Sequence, residues 1–235
     1  MEAYIVEEPG GKFRKTDLPR PAPRPNHVLV RVKASGVNPL DTKIRAGKAA
    51  HAKQPLPAVL GLDMAGIIEE VGPDVTAFKR GDEVFGMVGG VGGLQGTLAD
   101  FVAADVDLLA PKPNKLSMRQ AAALPLVAIT AWEGLVDRAK VCAGQTVLVH
   151  AGAGGVGHIA VQLARAFGAR VFATVSAEKK QIVEDFGATA IDYRSCSVDK
   201  YVEEMTEGKG FDIVFDTVGG ATIKREVSDM MKRCA

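Results

Sequence analysis

Apolar positions follow two different rhythms along this chain, and the change comes near residue 120. Beyond it, short apolar runs alternate with helical spacings. Val147-Leu148-Val149 has strand length, and Ile159, Ala160, Leu163, Ala164 and Phe167 then recur at helical spacing before Gly168 closes the helix. The pattern repeats downstream. Residues 170–175 predict a second strand, 177–186 a polar helix closed by Gly187, 189–193 a third strand, 198–205 a helix, and 211–216 a fourth strand stopped by Thr217-Val218-Gly219-Gly220. Such alternation specifies an α/β fold with a parallel sheet. Before residue 120 the runs are short, Val-rich and broken by Gly and Pro, which predicts a β-rich region with strands at 28–34, 65–71, 82–87 and 97–102. Pro9-Gly10, Gly36, Gly72-Pro73, Arg80-Gly81 and Gly92-Gly93 mark its turns. The four prolines of residues 19–25 exclude a helix and predict an extended edge connection. A helical rhythm returns over 119–135 through Ala121, Ala122, Leu124, Ile129, Trp132 and Leu135. The domain junction is placed there, giving domains 1–122 and 123–235.

The turn after Val149 carries the first candidate chemistry. Gly152, Gly154 and Gly157 satisfy G-x-G-x-x-G, in which the first glycine makes a tight turn, the second admits a pyrophosphate and the third lets helix pack on strand. Among 26 glycines the six-residue pattern is weak by itself, and its weight comes from the strand before it and the helix after it. Such a helix N-terminus offers unpaired N–H groups and a positive dipole end to phosphate. Proteins selective for NAD place an acid about 20 residues further on, against the ribose 2′-hydroxyl. Here the residue 19 beyond Gly157 is Ser176, followed by Ala177, Glu178, Lys179 and Lys180. A hydroxyl and two ammonium groups favour a 2′-phosphate, hence NADPH. Two other readings stand beside this one: the lysines as an ordinary solvated helix face, and Glu178 as a displaced acid. His150 and His158 flank the turn without a partner at any catalytic spacing and are read as structural.

Composition changes the picture little. The chain is 47% apolar and 24% charged, ordinary for a packed domain. A net charge of +1 gives no electrostatic footprint for nucleic acid, and no run of about 18 apolar residues predicts a membrane span. Cys142, Cys196 and Cys234 show no C-x-x-C spacing and read as reduced thiols. With no signal-peptide pattern at the N-terminus, the expectation is a cytoplasmic enzyme.

Several blocks taken together carry a family resemblance: Val30-Arg31-Val32-Lys33-Ala34-Ser35-Gly36-Val37-Asn38-Pro39-Leu40-Asp41, Leu60-Gly61-Leu62-Asp63-Met64-Ala65-Gly66, Gly81-Asp82-Glu83-Val84-Phe85-Gly86, Ala122-Ala123-Leu124-Pro125 and the glycine fingerprint. In this order they resemble the medium-chain dehydrogenase/reductase superfamily, in its zinc-free quinone oxidoreductase, or zeta-crystallin-like, branch. The resemblance implies a β-rich GroES-like domain, a Rossmann dinucleotide-binding domain, and catalysis in the cleft between them. The positions where zinc alcohol dehydrogenases carry Cys, His and Cys correspond here to Asn38, Leu62 and Leu126. Leucine has no lone pair to offer, and the absence of any Cys before Cys142 removes the structural zinc loop. The implied activity is NADPH-dependent hydride transfer to a quinone or conjugated carbonyl without a metal, the redox chemistry belonging to the cofactor.

By the same resemblance, Asn38 and Asp41 are the catalytic candidates, Asn38 as amide donor to the acceptor oxygen and Asp41 as an orienting group. Asn38-Pro39 reads equally well as a simple turn. Thr130 is assigned to the nicotinamide end of the cofactor, Gly154, Gly155, Val156 and Gly157 to the pyrophosphate, and Ser176, Lys180 and Tyr193 to the 2′-phosphate. Tyr193 is equally a packing aromatic, with Arg194 then taking the phosphate. Thr217 and Gly219 border the crevice at the end of the fourth strand. Residues 45–57 hold no tyrosine, so the proton donor is unassigned. The sequence ends at Ala235, inside the helix expected after the fourth strand, which predicts an incomplete Rossmann domain, C-terminally truncated. This sets three competing readings: a catalytically impaired NADPH-binding fragment, a zinc-independent alcohol dehydrogenase-like enzyme, and a non-catalytic scaffold. A homodimer is the partner state that the resemblance suggests.

Overall fold

The structure, a computed structural model, describes residues 1–219, and the chain divides into two units, Met1–Leu126 and the part from Val127 onward. Gly220, Cys234 and the helix expected after the fourth strand lie outside the described residues.

In the first unit, β1 (Glu2–Val6) turns at Pro9-Gly10 into β2 (Arg14–Asp17), and β3 (His27–Ser35) leads to helix α1 (Pro39–Arg45). There follow β4 (Ala58–Val59), β5 (Asp63–Val71), β6 (Glu83–Met87), β7 (Phe101–Asp105) and β8 (Ala110–Pro111). Two antiparallel sheets result, one in the order β2-β1-β4 and one in the order β7-β3-β5-β6-β8. Alternation decides which face is core: Val28, Val30, Met64, Ile68, Val84, Val102 and Ala104 form one buried cluster, while Arg31 between them pairs outside with Glu69 at 2.7 Å. Ser35 lies opposite Met64 across β3 and β5, which brings the start of α1 beside Asp63.

The strand expected at 97–102 begins later, at Phe101. Residues 97–100 serve a corner between the sheets instead: Leu98 N–H donates to Leu60 O, Leu98 O accepts from Tyr4 N–H, and Asp100 N–H donates to Glu2 O. The two-residue strands and the polar β2 left no period in the sequence to find. The helical rhythm over 119–135 is likewise divided. Ser117 caps a short α2 (Met118–Ala122), and Pro125, which cannot continue a helix but fits its first turn, opens α3 (Pro125–Trp132) before a π-helical turn at Glu133–Arg138.

The second unit follows the sequence closely. It runs β9 (Thr146–Val149), α4 (Gly155–Ala166), β10 (Arg170–Val175), a 3₁₀ turn at Ala177–Lys179, α5 (Lys180–Asp185), β11 (Thr189–Asp192), α6 (Val198–Thr206) and β12 (Ile213–Phe215). Its described strands are parallel in the order β11-β10-β9-β12. β9 is apolar from Val147 to Val149 because both faces are covered: Val147 and Val149 pack with α4, and Leu148 packs with Phe172, Ile191 and Tyr201 on the other side. α4 buries Gly157, Ala160, Val161 and Ala164, small residues that let it lie close to the sheet. Among the described residues, no helix is long and apolar enough to cross a membrane.

Candidate functional site

Two groups of candidate residues come together, one in each unit. In the first, β3 ends at Ser35 and the chain passes through Gly36, where a Cβ would lie 2.4 Å from Ala122 O and 2.9 Å from Asp63 Cβ. Only glycine fits that approach. Asn38, in extended conformation (φ −117°, ψ 155°), is the N-cap of α1, and Pro39 takes the first helical position, where a missing N–H costs nothing. Asp41 closes the turn: its Oδ2 accepts from Asn38 N–H at 2.7 Å. The turn reading and the site reading of Asn38-Pro39 are thus compatible, since the cap holds the side chain in place.

That side chain turns inward. Asn38 is buried and donates from Nδ2 to Asp63 Oδ2 at 2.9 Å. Asp63, wholly buried, also accepts from Leu126 N–H, at 3.2 Å to Oδ1 and 3.3 Å to Oδ2. Its main-chain oxygen is held by Gly36 N–H at 2.9 Å and Thr97 Oγ1 at 3.0 Å. Burial pushes the Asp63 carboxyl up to about 6; the Asn38 and Leu126 hydrogen bonds oppose this, and the nearby Asp41 charge adds to it. Burial also raises Asp41, against main-chain N–H groups of Asn38, Gly61 and Leu62. Of the three positions corresponding to zinc ligands, Asn38 and Leu126 bond Asp63 and Leu62 precedes it. A carboxylate and an amide occupy that place. Among the described residues, no three His, Cys, Asp or Glu side chains gather as metal ligands.

Asp63 is the residue the sequence reading passed over. It lies in the stretch 60–66, but nothing in the spacing shows that β5 begins beside Asn38.

In the second unit, β9 delivers the chain into the glycine turn at the point where β10 lies on one side and β12 on the other. This is the topological switch at which such sheets bind ligands. The turn is backbone-tight: a Cβ on Gly152 would lie 2.6 Å from Ala173 Cβ, and one on Gly157 would lie 2.2 Å from Ala151 O. Gly154 caps α4, whose first residues, Gly155 and Val156, present their N–H groups beyond the helix end. The strand ends and the turn enclose a cavity of about 480 Å³, lined by His150, Ala151, Ala153, Gly154, Thr174, Val175, Ser176, Lys179, Tyr193, Asp216 and Val218.

Gly154, Ser176 and Tyr193 therefore line one space, with Gly152, Gly155, Val156 and Gly157 forming the turn beside it. Lys180 does not line it. The chain leaves β10 through a 3₁₀ turn rather than directly into a helix, and this rotation puts Lys179 on the wall; Lys180 opens α5, where its charge adds to the Arg194 N–H and Ser195 hydrogen bonds that lower the Asp192 carboxyl. Glu178 is exposed beside the Ser176 hydroxyl and 4.0 Å from Arg194, and its own main-chain N–H, then the Ser176 hydroxyl and the Arg194 charge, hold its carboxyl below the usual range. Tyr193 is exposed, with the Arg194 guanidinium 5.6 Å from its ring centre. Thr217 turns away to donate from Oγ1 to His150 O at 2.8 Å, and Gly219 N–H donates to the Asp216 carboxylate. Thr130 is exposed on α3 and is not part of this wall. His150 has a wall position and a partner that the sequence did not reveal, Thr174 Oγ1 at 3.2 Å from Nδ1.

A dinucleotide fits these residues, because the glycine cradle admits backbone contact with phosphate where any side chain would collide. Comparisons with known proteins agree. Residues 24–114 match the family described as "Alcohol dehydrogenase GroES-like domain", and residues 155–233 match the one described as "Zinc-binding dehydrogenase". The chain is 40% identical to human NAD(P)H oxidoreductase RTN4IP1, mitochondrial, over 94% of its own length and 60% of that protein's. An alcohol dehydrogenase superfamily protein from Novosphingobium aromaticivorans shares 58% identity, with a TM-score of 0.95 over 97% of this chain and 69% of that one. The Escherichia coli quinone oxidoreductase complexed with NADPH shares 32% identity, with a TM-score of 0.83 over 98% of this chain and 70% of that one. The chain spans about 60% of the length of the first curated relatives it matches.

Proposed function

The chain belongs to the medium-chain dehydrogenase/reductase superfamily, in its zinc-independent quinone oxidoreductase branch, and on that premise we propose that it is an NADPH-dependent oxidoreductase acting on a quinone or conjugated carbonyl. The observation that carries the proposal is the cavity at the end of β9 and β10, where a glycine cradle meets Ser176, Lys179 and Tyr193 and no acid ends β10.

In this reading the N–H groups of Gly155 and Val156 hold the pyrophosphate at the start of α4, with Gly152, Gly154 and Gly157 giving it room. Ser176, Lys179 and Tyr193 receive the 2′-phosphate, and Lys180 and Arg194 add positive potential behind them. Thr130, Thr217 and Gly219 serve the nicotinamide end. When bound, the reduced nicotinamide supplies the hydride. Asn38 donates an Nδ2 hydrogen to the acceptor oxygen as negative charge gathers there, and Asp41 holds the cap that positions it. The proton that completes reduction comes from solvent. Leu62 and Leu126 stand where relatives that use zinc need lone pairs, so the amide takes the polarising role. The free thiols of Cys142 and Cys196 support a cytoplasmic setting.

Steady-state NADPH oxidation by the purified chain, with a quinone and with a conjugated enone, tests the proposal. Turnover with either, without added metal, is expected. Cofactor binding without turnover moves the reading to a catalytically impaired NADPH-binding protein, and absence of both contradicts it.

A further inference from the structure

We propose that Asp63 is a positioning residue that sets which way round the Asn38 amide faces, so that an N–H and not the carbonyl is offered to the acceptor oxygen. The inference rests on the proposed role of Asn38.

An asparagine amide has a donor end and an acceptor end of nearly equal shape, and only its hydrogen-bond partners decide between the two orientations. At Asn38 the main chain is already fixed, by the cap to Asp41 and by Pro39, and the capping box sets the side chain against the Asp41 main-chain N–H, which favours the same orientation as the bond to Asp63. An ionised carboxylate accepts and never donates. Asp63 therefore draws Nδ2 towards itself, at 2.9 Å, and excludes the flipped form, in which Oδ1 would face a negative oxygen. One Nδ2 hydrogen is spent on Asp63 and the second is left for another acceptor. Asp63 is itself immobile: its main-chain oxygen is held by Gly36 and Thr97, and its carboxylate by Leu126 N–H. An amide at position 63 reverses the logic. Its oxygen would satisfy Leu126 N–H, its NH₂ would face Asn38, and the Asn38 amide would turn over to meet it. Volume and hydrogen bonding would survive while polarity at the reacting side would invert.

The chain contains three asparagines, Asn26, Asn38 and Asn114, so selective ¹⁵N labelling of asparagine side chains resolves each amide. In the parent chain the Asn38 NH₂ signal is expected to show one proton protected from exchange by its charge-assisted bond. Asp63→Asn is expected to move that signal and speed the exchange about tenfold. It should also lower kcat for quinone about tenfold, with the KM for NADPH unchanged. Asn26→Ala is the control. It removes the amide that donates to Asp105 and Asp107 just before β3, at the end of that strand remote from Asn38, so it should lower the melting temperature and leave the Asn38 amide signal and kcat in place. An unmoved Asn38 signal in Asp63→Asn overturns the proposal, as does a folded Asp63→Asn chain with parental kcat. A parent chain that binds NADPH and turns over no quinone contradicts the functional reading alone, and the amide signal then decides the orientation claim by itself.

Discussion

Asp63 works against the stability of the fold that contains it. Its carboxyl is pushed from 3.8 in the unfolded chain to about 6 in the native one, so the native state holds the proton more tightly and stability falls as pH rises through that window. The difference corresponds to about 3 kcal/mol. Asp41 is raised as well and acts in the same direction. Thermal unfolding at pH 4 and pH 7.5 should therefore show Asp63→Asn gaining several degrees on the parent chain between the two pH values. A constant difference between them would place the raised carboxyl elsewhere. The expectation separates stability from activity: the substitution that helps the fold at neutral pH is the one that harms turnover. Legibility differed sharply at this scale. Asn38 and Asp41 lie in a block that carries the family resemblance, Ser176 lies at the expected distance beyond the glycine turn, and Tyr193 is named by the resemblance. Asp63 could not be picked out as a site residue, and the spacing does not choose between Lys179 and Lys180. The carboxylate is placed by sheet register across 25 residues from Asn38, the lysine by a 3₁₀ turn that rotates the pair by one position.

In the proposed function cofactor binding depends on the turn between β9 and α4, and the glycines of that turn are not equivalent. A Cβ on Gly157 would lie 2.2 Å from Ala151 O, a backbone atom that cannot yield without moving the turn. On Gly155 the nearest atom would be Val127 Cγ1 at 3.5 Å, an ordinary contact. Gly157→Ala should cost about 1–3 kcal/mol in a denaturant melt and abolish NADPH binding, whereas Gly155→Ala should stay within about 1 kcal/mol of the parent. Equal losses would mean that helix propensity, rather than close approach, governs the turn. The parallel sheet was the most legible element of the fold because its central strands, β9 and β10, are buried on both faces and the helices after them close at glycines, as with Phe172 in β10 before Gly187. The first unit was harder. Its two-residue strands carry no period, its corner at residues 97–100 has strand composition but meets β1 through a single bridge from Ala99 to Ala3, and Pro125 divides what the apolar spacing joins into one helix.

At the scale of the whole molecule, a β-rich unit that fixes an amide beneath a buried carboxylate and an α/β unit that offers a glycine cradle are encoded in one chain. Family membership follows from both parts, and the proposed reaction needs both. In the proposed function the charge placed at the end of β10 decides the cofactor, and the rest depends on this claim. Isothermal titration of the chain with NADPH and with NADH, repeated on Lys179→Ala, tests it most directly. The account predicts one NADPH per chain, bound at least about tenfold more tightly than NADH, with Lys179→Ala closing most of that gap while leaving NADH affinity as it was. No heat with NADPH, or equal affinity for the two cofactors in the parent chain, would contradict it.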